Sequence, residues 1–257
     1  MRKISVALIF GFLMGAAAGL IGVGGGEFRM PVLLYAIGLP VLISIAVNLL
    51  VGLLTVVVSF ARRYQLGLLT SHAVNIAIPM SAGSIFGAYV GAFLTEKIPE
   101  KPLKRLLAVF LISVGLKIGL EPFVEVPLTL TPLYFPLDMF FAVAIGIVIG
   151  TVSGMLGVAG GEYRIPALLY LFGFDIRIAG TTSLLVSIPT VTMGFTKHHQ
   201  MGHLDRDAAV IAIIMGVASV LGAYVGASYA GIIAEGVLKV LLGTILILAT
   251  VRMFTKP

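Results

Sequence analysis

The sequence predicts an all-α polytopic membrane protein built from two homologous halves. Three observations carry this. First, 59% of the 257 residues are hydrophobic and 11% are charged, where a soluble domain is nearer a quarter charged. Second, apolar runs of membrane-spanning length recur along the whole chain. Third, one motif occurs twice: GLIGVGGGEFRMPVLLY at 19–35 and GMLGVAGGEYRIPALLY at 154–170. The pairs Glu27/Glu162, Arg29/Arg164 and Pro31/Pro166 all lie 135 residues apart. The same register pairs Gln65-Leu66-Gly67 with Gln200-Met201-Gly202, and 87–91 with 222–226, so the repeat runs well beyond the motif.

A span needs about 20 mostly apolar residues, and an open backbone in hydrocarbon must be helical to satisfy its own hydrogen bonds. About eight long runs qualify: 4–21, 41–61, 73–94, 106–120, 137–156, 178–195, 208–233 and 237–251. The start, Met1-Arg2-Lys3 before an apolar run, resembles a signal peptide. The matching residues of the second copy lie mid-chain, so the first run is expected to be a retained span. In each copy the glycine motif leads into a further apolar segment of about 12 residues, 28–39 and 163–174. At about 1.5 Å per residue such a helix covers about 18 Å, short of a core about 30 Å thick. Two short broken or re-entrant helices are therefore expected, within 22–39 and 157–174. Pro122, Pro127, Pro132 and Pro136 mark a linker. The expected division is a first repeat 1–120, a linker 121–136 and a second repeat 137–257. The copies are parallel if the short helix turns back and inverted if it completes a crossing. The placement of Lys and Arg leans toward inverted.

The net charge of +6 comes from Lys and Arg in loops and at span ends, where orientation and interface anchoring use them. No basic–aromatic stripe suits nucleic acid, so the expected partners are the lipid bilayer and a small molecule. The absence of cysteine excludes disulfides, iron–sulfur centres and thiolate metal sites. No HExxH, GxSxG, Walker A or dinucleotide fingerprint occurs, and the glycine run at 22–26 follows a membrane-length run rather than a strand. No catalytic residue, cofactor or metal ligand is assigned, and the chain does not read as an enzyme. His199 and His203 have zinc-binding spacing on a helix, but Gly202 interrupts them. The stretch 197–205 reads as a solvated loop.

The chemistry concentrates at the motif. Gly24, Gly25 and Gly26, and Gly160 and Gly161 behind Ala159, let backbone approach a ligand or another helix closely. A helix starting just after them offers unpaired N–H groups and a positive dipole end, which binds small anions. Pro31 and Pro166 are expected in its first turn. The alternative is close packing of helices through small residues. Glu27, Arg29, Glu162 and Arg164 are charges inside apolar segments and need water, a partner or a substrate. Residues two apart on a helix do not face each other, so the expected pairs are Glu27 with Arg164 and Glu162 with Arg29. An Arg offers an oxyanion a planar fork of donors, and the glutamates are the candidate proton carriers. The alternative is a structural clamp of two salt bridges. Thr181, Thr182 and Ser183, with Asn48 at the matching place in the first copy, either line a polar path or bond neighbouring helices.

GLIGVGGGEFRMPVLL and GMLGVAGGEYRIPALL resemble the paired glycine–proline motifs of the TauE/SafE family of sulfite exporters and related anion transporters. The segment 178–184, IAGTTSL, resembles that family's Gly/Thr/Ser segment, and the polar turn 200–205 its following loop. The resemblance covers essentially the whole chain. It implies a multi-pass protein of the cell (inner or plasma) membrane that acts as a secondary transporter. The implied substrate is a small anion such as sulfite, a sulfonate or another organosulfur or carboxylate anion, exported with proton coupling. Glu27, Arg29, Glu162 and Arg164 stand where many members carry aliphatic residues. A membrane scaffold or enzyme, and cation or metal transport, are the other classes left open.

Overall fold

The computed structural model describes residues 2–95, 97, 112, 115–116, 118–123 and 136–255. Its helices are α1 (Arg2–Ile21), α2 (Gly26–Pro31, running on as a π-helical stretch Val32–Ile37), α3 (Val41–Gln65) and α4 (Ser71–Leu94). They are followed by α5 (Leu137–Leu156), α6 (Gly161–Tyr170), α7 (Ile176–Gln200), α8 (Arg206–Tyr229) and α9 (Glu235–Thr255). There is no strand among the described residues. Among the described residues six helices, α1, α3, α4, α5, α7 and α8, are long and apolar enough to cross a membrane. Of the two other expected spans, 106–120 lies largely outside the described residues and 237–251 lies within α9. α1, α3 and α4 begin and end 135 residues before α5, α7 and α8, and α2 begins 135 residues before α6.

Local chemistry sets these limits. Thr70 accepts the Ala73 N–H to start α4, and Asp205, at the matching position, accepts the Ala208 N–H to start α8. Asp175 accepts from both Arg177 and Ile178 at the start of α7. Gly67 and Gly202, just past α3 and α7, take φ of +73° and +77°, the left-handed turn that ends a helix most easily at glycine.

Packing runs through small residues. A Cβ built on Gly11, Gly15 or Gly19 of α1 would lie 2.6, 2.2 and 2.3 Å from the carbonyl oxygens of Met215, Ser219 and Ala223 of α8. Gly83, Gly87 and Gly91 of α4 stand in the same relation to Val143, Ile147 and Thr151 of α5, at 2.2, 2.2 and 2.0 Å. These helices touch backbone to backbone, as small residues four apart permit. In both pairs the numbers rise together, so the helices run parallel. α3 runs with α8, Thr55 meeting Ser219 and Arg62 meeting Ser228. It runs against α7, Leu49 lying on Gly194 and Arg63 on Thr181. The matching helices α3 and α7 therefore point in opposite directions. Between them sit Ile45, Leu49, Val56, Leu184 and Val191. The outer faces carry large exposed apolar side chains, among them Phe86, Val148, Ile213 and Leu221, which a bilayer would cover.

Gly87→Leu tests this packing. The new side chain must displace the Ile147 carbonyl, and overpacking of this kind costs about 1–3 kcal/mol or more. A lowered unfolding temperature and loss of the single size-exclusion peak are expected in detergent. Gly231→Ala, where an added Cβ meets nothing within 4 Å, should match the unmodified protein.

Candidate functional site

The two glycine motifs meet inside the bundle. α1 ends at Ile21, and Gly22 at φ +96° turns the chain back on itself. Gly25, at φ +69°, then lies beside Met14 and Ala18 of the same helix. In the second motif Gly157 and Gly160 take φ of +70° and +78°. A Cβ on Gly24 would lie 2.0 Å from the Ala159 methyl. Residues 24 and 159 are matching positions, so this contact marks where the two segments cross. Around it, Gly26 backs onto Val158 and Gly161 onto Val23. The glycines provide the close backbone approach that no larger residue allows.

α2 and α6 start at Gly26 and Gly161, behind left-handed Gly25 and Gly160 and without a side-chain cap. Their first-turn N–H groups have no helical acceptor. Both helices begin two residues earlier than expected, so Pro31 and Pro166 are sixth in their helices, not in the first turn. A proline there removes an interior N–H. In α2 the backbone widens into π geometry from Val32, whereas α6 keeps α geometry to Tyr170.

The four charges do not form the expected cross-pairs. Each Arg lies two residues beyond its Glu and points elsewhere. The glutamates reach the crossing, where the Glu162 carboxyl adjoins that of Glu27. Neither Glu162 oxygen, nor Glu27 Oε1, has a hydrogen-bond donor among the described residues. The arginines reach outward to α3 and α7. Arg29 donates from Nε to Asn48 Oδ1 (3.0 Å), from Nη1 to Thr55 Oγ1 (3.3 Å) and from Nη2 to the Gly24 carbonyl (2.7 Å). Asn48 Nδ2 in turn donates to the carbonyls of Gly26 (3.0 Å) and Gly157 (2.7 Å), joining the two motifs. Arg164 donates from Nη1 to the Ser183 carbonyl (3.0 Å) and Ser187 Oγ (2.7 Å). Its Nε and Nη2, and Ser183 Oγ, have no partner among the described residues. Arg29, Arg164 and Ser183 are all closed to solvent.

Thr181 and Thr182 are buried at the start of α7, each donating to the carbonyl four residues back, Arg177 (2.8 Å) and Ile178 (2.7 Å). Thr181 also accepts from Arg63 Nε at 2.9 Å.

Sequence reasoning missed Arg63, which read as an interface anchor. It is fully buried and donates to the carbonyls of Gly19 (3.2 Å), Leu20 (3.1 Å) and Arg177 (2.7 Å). His198 occupies the matching position and bonds the Gly154 carbonyl at 3.0 Å, as Arg63 bonds Gly19. A carbonyl only accepts, so His198 Nε2 carries the hydrogen, and His198 Nδ1 pairs with His203 Nδ1 at 2.9 Å. The expectation of a solvated loop at 197–205 is thus corrected. α7 continues to Gln200, and His198 is buried because it holds the end of α5. The repeat register carried the signal: 63 and 198 are both polar at one place in the fold. No group of three metal-binding side chains occurs among the described residues.

The model of the family described as "Sulfite exporter TauE/SafE" matches residues 1–118 and 136–257. The chain belongs to this family. It is 28% identical over 257 residues to the probable membrane transporter protein ORF9 of Sinorhizobium sp, covering 98% of this chain and 90% of that one. It is 26% identical to the probable membrane transporter protein YdhB of Bacillus subtilis, covering 89% and 91%. A third relative, the probable membrane transporter protein MJ0441 of Methanocaldococcus jannaschii, is 24% identical, covering 93% and 91%. No solved structure matches the chain. Membership of the TauE/SafE family and six apolar helices make this a multi-pass protein of a membrane transporter family.

Proposed function

We propose that this protein is a proton-coupled secondary transporter, and an exporter, of a small oxyanion of the sulfite, sulfonate or carboxylate kind. The reading takes the chain as two inverted copies, 1–120 and 137–257 joined by 121–136, with about eight spans and two broken helices. The candidate binding set is Gly24, Gly25, Gly26, Arg29 and Asn48 from the first copy. The second copy adds Gly160, Gly161, Arg164, Thr181, Thr182 and Ser183. One observation carries the reading: beside Gly160 and Gly161 of the second motif, buried donors on Arg164 and Ser183 lack acceptors among the described residues. An unmet buried donor costs about 1–3 kcal/mol, more when charged. An oxyanion supplies those acceptors, and the open N–H groups at the start of α6 add to the attraction.

Glu27 and Glu162 are the proposed proton carriers. Two adjoining carboxyls, of which Glu27 Oε1 and both Glu162 oxygens lack donors among the described residues, can share a proton, since like charges at contact disfavour double ionisation. Anion binding near the pair makes a second negative charge costlier still, so anion and proton load together. The closed state then opens to either side as the copies rock about the crossing, as inverted-repeat transporters do.

Proteoliposome uptake driven only by a pH gradient tests this, using sulfite, thiosulfate, methanesulfonate and acetate as substrates. Accumulation of at least one is expected for the unmodified protein. Glu27→Gln and Glu162→Gln should exchange that anion at close to normal rates but no longer concentrate it. Gln variants that still concentrate it on the pH gradient alone would remove both glutamates from coupling.

A further inference from the structure

The two arginines occupy matching positions yet are differently engaged, and the difference lies on one edge of the guanidinium. Nη2 is the terminal nitrogen on the Nε–H side, so Nε and Nη2 together form the side-on fork that receives two oxygens of an oxyanion. In Arg29 that fork is filled by protein: Asn48 Oδ1 takes Nε at 3.0 Å and the Gly24 carbonyl takes Nη2 at 2.7 Å. In Arg164 the same two nitrogens have no acceptor among the described residues, although the residue is fully buried. The substitutions between copies account for this. Asn48 is matched by Ser183, whose hydroxyl is also without a partner there, and Gly24 by Ala159, whose carbonyl accepts from Ser187 Oγ at 3.3 Å. Arg164 is held in place from its other terminal nitrogen alone, by the Ser183 carbonyl and Ser187 Oγ.

We infer that the anion binds on the second copy only, on the Arg164 Nε–Nη2 fork with Ser183 Oγ as a third donor. Arg29, bridged by Asn48, is the internally satisfied counterpart that fixes the crossing. This rests on the transport reading above and narrows it to one arginine and one class of ligand. That class is an anion presenting two oxygens in a plane to the fork and a further lone pair to the hydroxyl, from a third oxygen in sulfite and sulfonates or from one of the same two oxygens in a carboxylate. Carboxylates, sulfonates and sulfite share this chemistry. Arg29 also shows what blocks the site: an asparagine amide oxygen delivered to Nε. Ser183→Asn places that amide at the matching position, with the space Asn48 already uses as the template.

The test is thermal unfolding of the purified full-length protein in detergent, titrated with methanesulfonate, acetate or sulfite at constant ionic strength set by chloride. The unmodified protein should be stabilised in a saturable way by at least one of these, and the preferred ion separates sulfonate from carboxylate recognition. Ser183→Asn should fold, unfold at an equal or higher temperature without ligand, and need at least tenfold more anion for half-maximal stabilisation. Arg164→Lys, which keeps charge but loses the fork, should show the same weakening. Thr192→Ala, exposed on α7, should titrate like the unmodified protein. If the unmodified protein responds and both site variants respond equally, the fork is not the site, while anion transport stands. If the unmodified protein responds to none of these ions, and takes up none in proteoliposomes, both the site and the transport reading fall.

Discussion

Arg63→Leu is expected to be among the most destabilising single changes in the chain, costing about 3 kcal/mol or more. The guanidinium ties the end of α1 to the start of α7 through three carbonyls and the Thr181 hydroxyl. Hydrogen bonds to a charged donor contribute about 1.5–3 kcal/mol each, and an acceptor left buried without one costs about 1–3 kcal/mol. Removing a desolvated charge recovers part of this, but leucine gives the carbonyls nothing. Arg63→Lys keeps a point charge and fewer directed donors, so its loss should be intermediate. Unfolding temperature in detergent, with size exclusion as the check on folding, reads the order: unmodified above Lys above Leu. A leucine variant as stable as the unmodified protein would show that water already serves those carbonyls.

Asn48→Leu should be nearly as costly and should act on the site as well as the fold. Asn48 accepts from Arg29 and donates to the carbonyls of Gly26 and Gly157, one in each motif. Leucine matches its bulk but strands all three partners, an expected loss of about 3 kcal/mol. With the bridge gone, Arg29 Nε joins Arg164 in lacking an acceptor, and the crossing loses a link that holds one motif to the other. Transport should fall further than the fraction of folded protein falls. Transport that simply tracks the folded fraction would make Asn48 a stability residue alone.

Much of the architecture was legible because hydrophobic length and an exact repeat are one-dimensional signals. The 135-residue offset seen in the motifs reappears in the bounds of α1 and α5, α3 and α7, and α4 and α8. The glycines signalled a close backbone approach, to a ligand or to another helix, and contact distances show the two motifs lying against each other. Partnering was far less legible. Glu27 and Arg29 looked like halves of two cross-linked ion pairs, but a two-residue step on a helix sends one side chain to the crossing and the other to α3. Arg63 and His198 stood next to other basic residues at helix ends, where sequence alone cannot separate an anchor in water from a buried donor. Their burial depends on where α1 and α5 end in space. The inequality of Arg29 and Arg164 was written in the pair Asn48 and Ser183, but only contact distances give it meaning.

Counterflow reads a single site that alternates between the two sides of the membrane. Proteoliposomes loaded with an unlabelled anion are diluted into a trace of the same anion carrying a radiolabel, with no pH or voltage gradient. A carrier with one site that faces each side in turn must concentrate the label transiently inside, using only the outward gradient of unlabelled anion. Carrier function at the Arg164 site predicts that overshoot for at least one of sulfite, thiosulfate, methanesulfonate and acetate, and its collapse in Arg164→Lys and Ser183→Asn. Label that never exceeds its equilibrium level for any of these anions would contradict it.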